Sequence, residues 1–281
     1  MKPFDLVSPS GEPVPVMFDS PHSGRFYPAD WRVKPPLPIL RQGEDAYVDE
    51  LVADAPHLGV TLLNATYPRC YIDANREPDD LDNELLCEPW PTPLKPTAKT
   101  RKGLGLVRRY LVPGVEVHAD KLSVAEVRQR FDSVYWPYHR ALDAALDGLQ
   151  ARFGFAWHID WHSMKAMGNE MTPDKGKPRA DFVIGDLEGR SCDKGLTALL
   201  CESLEALGYR VALNDPYKGA AIVRRHGRPA AGRHSVQIEI NRALYLDEAA
   251  VVPNGGFAKL RRDIAHLTRR VVAAARESFE R

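Results

Sequence analysis

The sequence predicts an α/β fold in three layers, with helices on both faces of a mixed, mostly parallel central sheet. Two observations predict it. Short β-rich runs alternate with amphipathic helical stretches along most of the chain, the pattern of strands connected by crossover helices. The chain is also long and apolar enough, with 281 residues of which 44% are hydrophobic, to bury the core of one large domain spanning 1–281.

The elements follow in order. Val14–Phe18 reads as a strand that runs into the turn Asp19–Gly24. Ala46–His57 reads as a helix ended by Gly59, and the apolar runs Val60–Ala65 and Cys70–Ala74 as strands. The strongest helix signal covers Val124–Gln150: Ser123 and Glu126 form a capping-box pair, apolar residues recur at three- and four-residue steps, and Pro137 predicts a kink. Phe155–Trp161, Phe182–Gly185, Arg210–Leu213 and Ser235–Ile240 are the later strands. Ser191–Leu207, with Ser191 as N-cap and Gly208 past its end, and Phe257–Phe279 are the later helices. A proline-rich, basic segment at about 88–105 stands apart and reads as a lid over a site or as a surface loop.

Composition excludes several function classes. Lys+Arg and Asp+Glu both number 38, so no basic excess favours nucleic acid or a membrane surface. No run approaches the roughly eighteen apolar residues of a membrane span. The first residues lack the apolar stretch of a secretory signal. Four scattered cysteines without a C-x-x-C pair fit reduced thiols and a cytoplasmic location. The expected partner is a small molecule; the oligomeric state is left open.

In open α/β sheets ligands collect beyond the carboxyl ends of the strands, which singles out His22, Asn75 with Arg76, Asp160 with His162, and Glu239 with Asn241. Each has a structural reading beside the functional one. Glu239 alternates with Ile238 and Ile240, so it is either a buried carboxylate that must be paired or an edge-strand residue in water. Asp160 and His162 share one side of a strand, either as an imidazole with its orienting carboxylate or as a core ion pair. The combination carries the argument. Two histidines on separate strand ends, a carboxylate and a further glutamate are what a catalytic zinc site requires: three protein ligands, an open position for water and a general base.

Several stretches then resemble the N-formylglutamate amidohydrolase family: Pro-His-Ser-Gly (21–24), Asp-Ala-Tyr-Val-Asp-Glu-Leu (45–51), Asp-Ala-Asn-Arg-Glu-Pro-Asp-Asp (73–80), Tyr-Trp-Pro-Tyr-His (135–139), Asp-Trp-His-Ser (160–163), Tyr-Lys-Gly-Ala (217–220) and Gln-Ile-Glu-Ile-Asn-Arg (237–242). That family looks related in turn to zinc carboxypeptidases and aspartoacylase-like deacylases, so the resemblance implies a zinc-carboxypeptidase-like sheet. It implies zinc held by His22, His162 and a carboxylate, with Glu239 as the catalytic base that activates water. Carboxypeptidases place their ligand glutamate three residues after the first histidine, where this chain has Arg25. Asp45 fits the family position, with Glu44 as the alternative and Asp49 as the third choice, although a carboxylate at a helix start also serves as a cap.

Asn75, Arg76, Lys218 and Arg224 are the substrate-binding candidates, with Arg69, Arg225 and Arg242 behind them, and Asp160 is expected to support His162. The implied reaction is hydrolysis of the formamide of N-formyl-L-glutamate to formate and L-glutamate, a step of histidine degradation. A zinc amidase acting on another N-acyl amino acid or small peptide is the alternative, and a non-catalytic binding module is the third reading.

Overall fold

A computed structural model describes residues 1–279. Its central sheet is built from β1 (Phe4–Val7), β2 (Val16–Ser20), β3 (Thr61–Ala65), β4 (Ala156–Met164), β5 (Phe182–Gly185), β6 (Val211–Leu213) and β7 (Arg233–Asn241). The spatial order is β1-β3-β2-β4-β7-β5-β6. The inner pairs β3/β2, β2/β4 and β4/β7 are parallel, as is β5/β6; β1/β3 and β7/β5 are antiparallel. The sheet is therefore mixed and mostly parallel, as the alternating pattern predicts.

Strand periodicity gives the sheet two different faces. Val16, Phe18, Trp157, Ile159, Trp161, Val236, Ile238 and Ile240 point one way into an apolar core. Helices α5 (Lys194–Ala206) and α7 (Phe257–Phe279) cover that face with Leu196, Leu200, Leu204, Leu260, Ile264 and Leu267. The opposite face packs Met17 and Leu63 against Tyr138, Leu142 and Leu146 of α4 (Trp136–Phe153). It also buries Asp19, His158, Asp160, His162, Ser235, Gln237 and Glu239. A row of polar groups this deep is tolerated only when its members satisfy one another. His158 does so by reaching Asp19 (Nε2–Oδ1 2.9 Å) and Ser235 (Nδ1–Oγ 2.8 Å), while Tyr138 donates its hydroxyl to Asp19 at 2.8 Å.

Most expected elements appear, with local corrections. Ser123 and Glu126 do form a capping box, opening α3 (Val124–Arg130). The expected kink takes the form of a π-turn at Phe131–Tyr135, just ahead of Pro137, whose ring cannot take part in the i→i−4 ladder. Residues 46–57 are not one helix: α1 (Val48–Leu51) is followed by a 3₁₀ turn at Ala55–Leu58, where Pro56 removes a donor. Cys70–Ala74 is irregular, because Asp73 N–H donates to Leu106 O and the Asp73 carboxylate accepts from Asn75 N–H instead of joining a ladder. The N-cap of α5 is Asp193, which accepts from Leu196 N–H at 2.9 Å; Ser191 instead accepts Ser235 N–H at its carbonyl. The segment around 88–105 folds against the body and contains α2 (Ala98–Arg101), while α6 (Ala221–His226) follows the Tyr217–Ala220 turn. No helix among the described residues is long and apolar enough to cross a membrane.

Candidate active site

Beyond the carboxyl ends of β2, β3, β4 and β7 the chain reverses direction in the sheet, since the path from β3 crosses β2 to reach β4. This crevice receives His22 from the turn after β2 and His162 from β4, with Glu239 on β7 registered directly opposite His162. The turn holding His22 is tightly specified. A Cβ on Gly24 would lie 2.2 Å from the Tyr67 carbonyl oxygen, so only glycine fits. His22 O accepts from Asp45 N–H at 3.0 Å, and Ser23 Oγ donates to Asp45 O at 2.9 Å, which locks the two loops together.

His22, Asp45 and His162 are buried and offer ligand atoms within 4.8 Å of one another. Both imidazoles turn Nδ1 toward one oxygen: Asp45 Oδ2 lies 3.3 Å from His22 Nδ1 and 3.0 Å from His162 Nδ1. Donors bonded to one tetrahedral zinc at roughly 2.0–2.1 Å sit about 3.3 Å apart, so the spacing suits such an ion. Asp45 does not cap α1, whose N-cap is Tyr47 in a left-handed conformation (φ 64°) without a side-chain cap bond. Glu44 points elsewhere, accepting from Tyr27 Oη at 2.6 Å and pairing with Arg41. Asp49 pairs with Arg25 at 2.6 Å.

The far side of each ring is held as well. His22 Nε2 meets Asp73 Oδ1 at 2.7 Å, and Asp73 Oδ2 accepts from Arg69 at 2.9 Å. His162 Nε2 lies 2.8 Å from Asp160 Oδ1, off the N–H axis, and 3.1 Å from Asn75 Nδ2. Burial, reinforced by the Arg69 charge, holds His22 below the usual histidine range and so in its neutral form. A neutral ring carries one proton. With that proton on Nε2 toward Asp73, a bare Nδ1 lone pair faces the Asp45 carboxylate, a repulsion that a cation between them relieves. The donor set therefore fits a divalent metal. Burial alone would also lower His162, but the Asp160 carboxylate and the bond to Asp45 hold it well above the usual range when only protons are present. Burial pushes Asp160 up to about 7.

Glu239 is 9% exposed, on an interior strand and not on an edge. It accepts from Gln237 Nε2 at 2.9 Å. Burial raises its carboxyl above the ordinary value, Asp45 adds to the rise, and His162 and Arg69 oppose it. Asn75 is fully engaged: Nδ2 faces His162, Asp160 and Gln237, and Oδ1 accepts from Ile222 N–H at 2.9 Å, tying α6 to the site.

The pocket above these groups is cationic, with Arg69, Arg76, Lys99, Arg108, Arg179 and Arg242 in its wall and Glu239 as a lining carboxylate. Arg76 is buried, donating from Nε to Leu104 O and from Nη1 to Asn75 O. Arg242 donates to Asp45 Oδ1 at 3.0 Å. Lys218 and Arg224 lie outside this lining: each is exposed and spent on a surface carboxylate, Lys218 on Glu188 at 2.5 Å and Arg224 on Glu77 at 3.0 Å. Sequence reasoning did not single out Asp73 or Gln237, although both stand in quoted motifs on the same face or turn as the chosen residues. Lys99 and Arg108 carry no sequence signal beyond a positive charge.

A family model and several known proteins are similar to this chain. A family model described as N-formylglutamate amidohydrolase matches residues 14–246. The chain is 34% identical to N-formylglutamate deformylase of Pseudomonas aeruginosa over 273 residues, 95% of this chain and 92% of that protein. The corresponding protein of Pseudomonas putida is 34% identical over 209 residues, 73% of this chain and 71% of that one. The crystal structure of N-formylglutamate amidohydrolase from Ralstonia eutropha JMP134 superposes with a TM-score of 0.94 at 46% identity, covering 99% of this chain and 100% of that one. Gene product Atu2144 of Agrobacterium tumefaciens shares the fold alone, with a TM-score of 0.65 at 18% identity over 100% of this chain and 97% of that one.

Proposed function

The chain belongs to the N-formylglutamate amidohydrolase family, and from that premise we propose that it hydrolyses N-formyl-L-glutamate to formate and L-glutamate with the help of a divalent metal, zinc by preference. The observation that carries this reading is the convergence of two imidazole Nδ1 atoms on one carboxylate oxygen of Asp45, at the floor of a cationic pocket. His22, Asp45 and His162 would hold the metal, which when bound lowers the pKa of water and polarises a carbonyl.

The remaining chemistry belongs to the side chains. Glu239, raised by burial, takes a proton from the attacking water as its oxygen bonds to the formyl carbon. It then returns that proton to the amide nitrogen as the C–N bond breaks, so formate and the free amine of glutamate leave. Gln237 orients the Glu239 carboxylate, and Asp73 and Asp160 steady the two imidazoles. Asn75 ties α6 and Gln237 to the site, while the Arg76 fork, held by backbone carbonyls, is free to meet a substrate carboxylate. Lys218 and Arg224 have no part in this scheme. On this reading the protein acts in the cytoplasm, in the breakdown of histidine.

The test is formate release from N-formyl-L-glutamate by the metal-loaded protein, beside acetate release from N-acetyl-L-glutamate. Formyl preference and a loss of about 10²–10⁴ in kcat for Glu239→Gln, at unchanged metal content, are expected. Preference for the acetyl substrate would assign the site to another N-acyl amino acid. Indifference to Glu239→Gln would remove the catalytic role altogether.

A further inference from the structure

The charges in the pocket wall are not equally spent. Arg69 is neutralised by Asp73 and Asp45, Arg242 by Asp45, and Arg179 by Asp174 at 2.6 Å. Two others are not. Among the described residues, no carboxylate lies within ion-pair distance of Arg76 or of Lys99. The Lys99 ammonium has no hydrogen-bond partner there either, and lies 5.6 Å from the Tyr217 ring centroid.

Lys99 is exposed, and its open surface lines the pocket. It is also held in place. Helix α2, which carries it, is capped by Thr97 Oγ1, and Asp80 fastens the same turn through Thr97 N–H at 2.7 Å and the Thr100 hydroxyl. Two like charges brought together without a counter-ion cost free energy, and Arg76, followed by burial and Arg69, pulls the Lys99 ammonium down to about 7.

Position indicates what the pair receives. Arg76 and Lys99 line both the catalytic pocket and an adjoining cavity with Asp80, Thr97 and Gly219; His22, His162 and Glu239 line the first cavity only. Asn75 lines both cavities as well, so the pair stands where the catalytic pocket opens into the second one. We propose that Lys99, paired with Arg76, grips the side-chain carboxylate of the substrate and so sets the preference for an acidic over a neutral N-formyl amino acid. This gives the proline-rich segment a function, the presentation of Lys99, and it rests on the reading of the site as an N-formylglutamate hydrolase.

The experiment compares N-formyl-L-glutamate with N-formyl-L-glutamine, which differ in the charge of the side-chain end. Both are assayed by formate release from the metal-loaded wild type, Lys99→Met and Lys99→Arg. Lys99→Met is expected to raise KM for N-formylglutamate by about 10-fold or more, in line with a lost charge-assisted contact, with kcat within about threefold. KM for N-formylglutamine stays put, Lys99→Arg keeps most of the preference, and melting temperatures match the wild type. A wild-type ratio of the two kcat/KM values in Lys99→Met overturns the proposal while leaving the proposed reaction intact. Absence of formate release by the wild type overturns the reaction itself and this inference with it. Glutarate and butyrate titrations by calorimetry give a check without turnover: glutarate must bind the wild type more tightly than Lys99→Met, and equal binding counts against the proposal.

Discussion

Replacing Asp73 by Asn probes the support of the proposed metal site without touching one of its three proposed ligands. Asp73 is completely buried; Oδ1 meets His22 Nε2 at 2.7 Å and accepts Asn75 N–H at 2.9 Å, while Oδ2 accepts from Arg69. The amide keeps the shape and loses the charge. It can turn its oxygen to His22 or to Arg69 but not to both, so one of those partners then faces an NH₂ donor. Loss of a carboxylate behind a metal-binding imidazole weakens metal affinity by about 10–100-fold, or about 1.4–2.7 kcal/mol at 1.36 kcal/mol per decade. Stability falls too. Breaking a buried pair costs about 3–5 kcal/mol, and the lower end applies because Arg69 retains Asp45 at 3.4 Å. Competition for zinc against a chromophoric chelator reads the first quantity and thermal denaturation of the metal-free protein the second. Wild-type zinc affinity in Asp73→Asn would refute the reasoning that this carboxylate directs the His22 Nδ1 lone pair at the site.

Other outcomes follow from the same geometry. Arg76, followed by burial, pulls the Lys99 ammonium down to about 7, so loss of its charge should raise KM for N-formylglutamate from pH 6 to 8.5, a rise absent from Lys99→Met in steady-state kinetics. The groups facing Lys99 from neighbouring segments are Arg76, Arg69, Glu239, Asp73 and Tyr217, and none of their substitutions is needed for that readout. Gly24→Ala drives a methyl group into the Tyr67 carbonyl and should cost about 1–3 kcal/mol, seen as a lower melting temperature together with weaker zinc binding, because His22 moves with its turn.

The inner strands were legible because their chemistry is periodic. Ser-Val-Gln-Ile-Glu-Ile-Asn alternates without a break, and the structure turns Val236, Ile238 and Ile240 to the apolar layer and Gln237 and Glu239 to the site. The Ser123 capping box and the Phe257–Phe279 helix read equally well, since cap and amphipathic signals are local. Cys70–Ala74 misled because its apolar residues are buried by contacts distant in sequence, around Leu106 and Arg108, which no local pattern records. Strand β1 was missed for the opposite reason: it is short, mostly exposed and paired only along one edge. The same split runs through the site. His22, His162 and Glu239 stand at the ends of recognisable strands, whereas Lys99 arrives from an irregular segment whose place over the pocket is set by Asp80 and Thr97. Lys218 and Arg224, chosen for their place near a motif, pair with the surface carboxylates Glu188 and Glu77, and Arg224 also lines the cavity that adjoins the pocket.

The central claim is that His22, Asp45 and His162 gather one divalent ion on which formamide hydrolysis depends. Elemental analysis of the purified protein, run beside formate release before and after exhaustive chelation, tests it in a single series. The account predicts one equivalent of zinc per chain, loss of formate release as that zinc is stripped, and recovery when zinc is restored to the wild type but not to His162→Ala. Full turnover by a chain shown to be free of metal would contradict it.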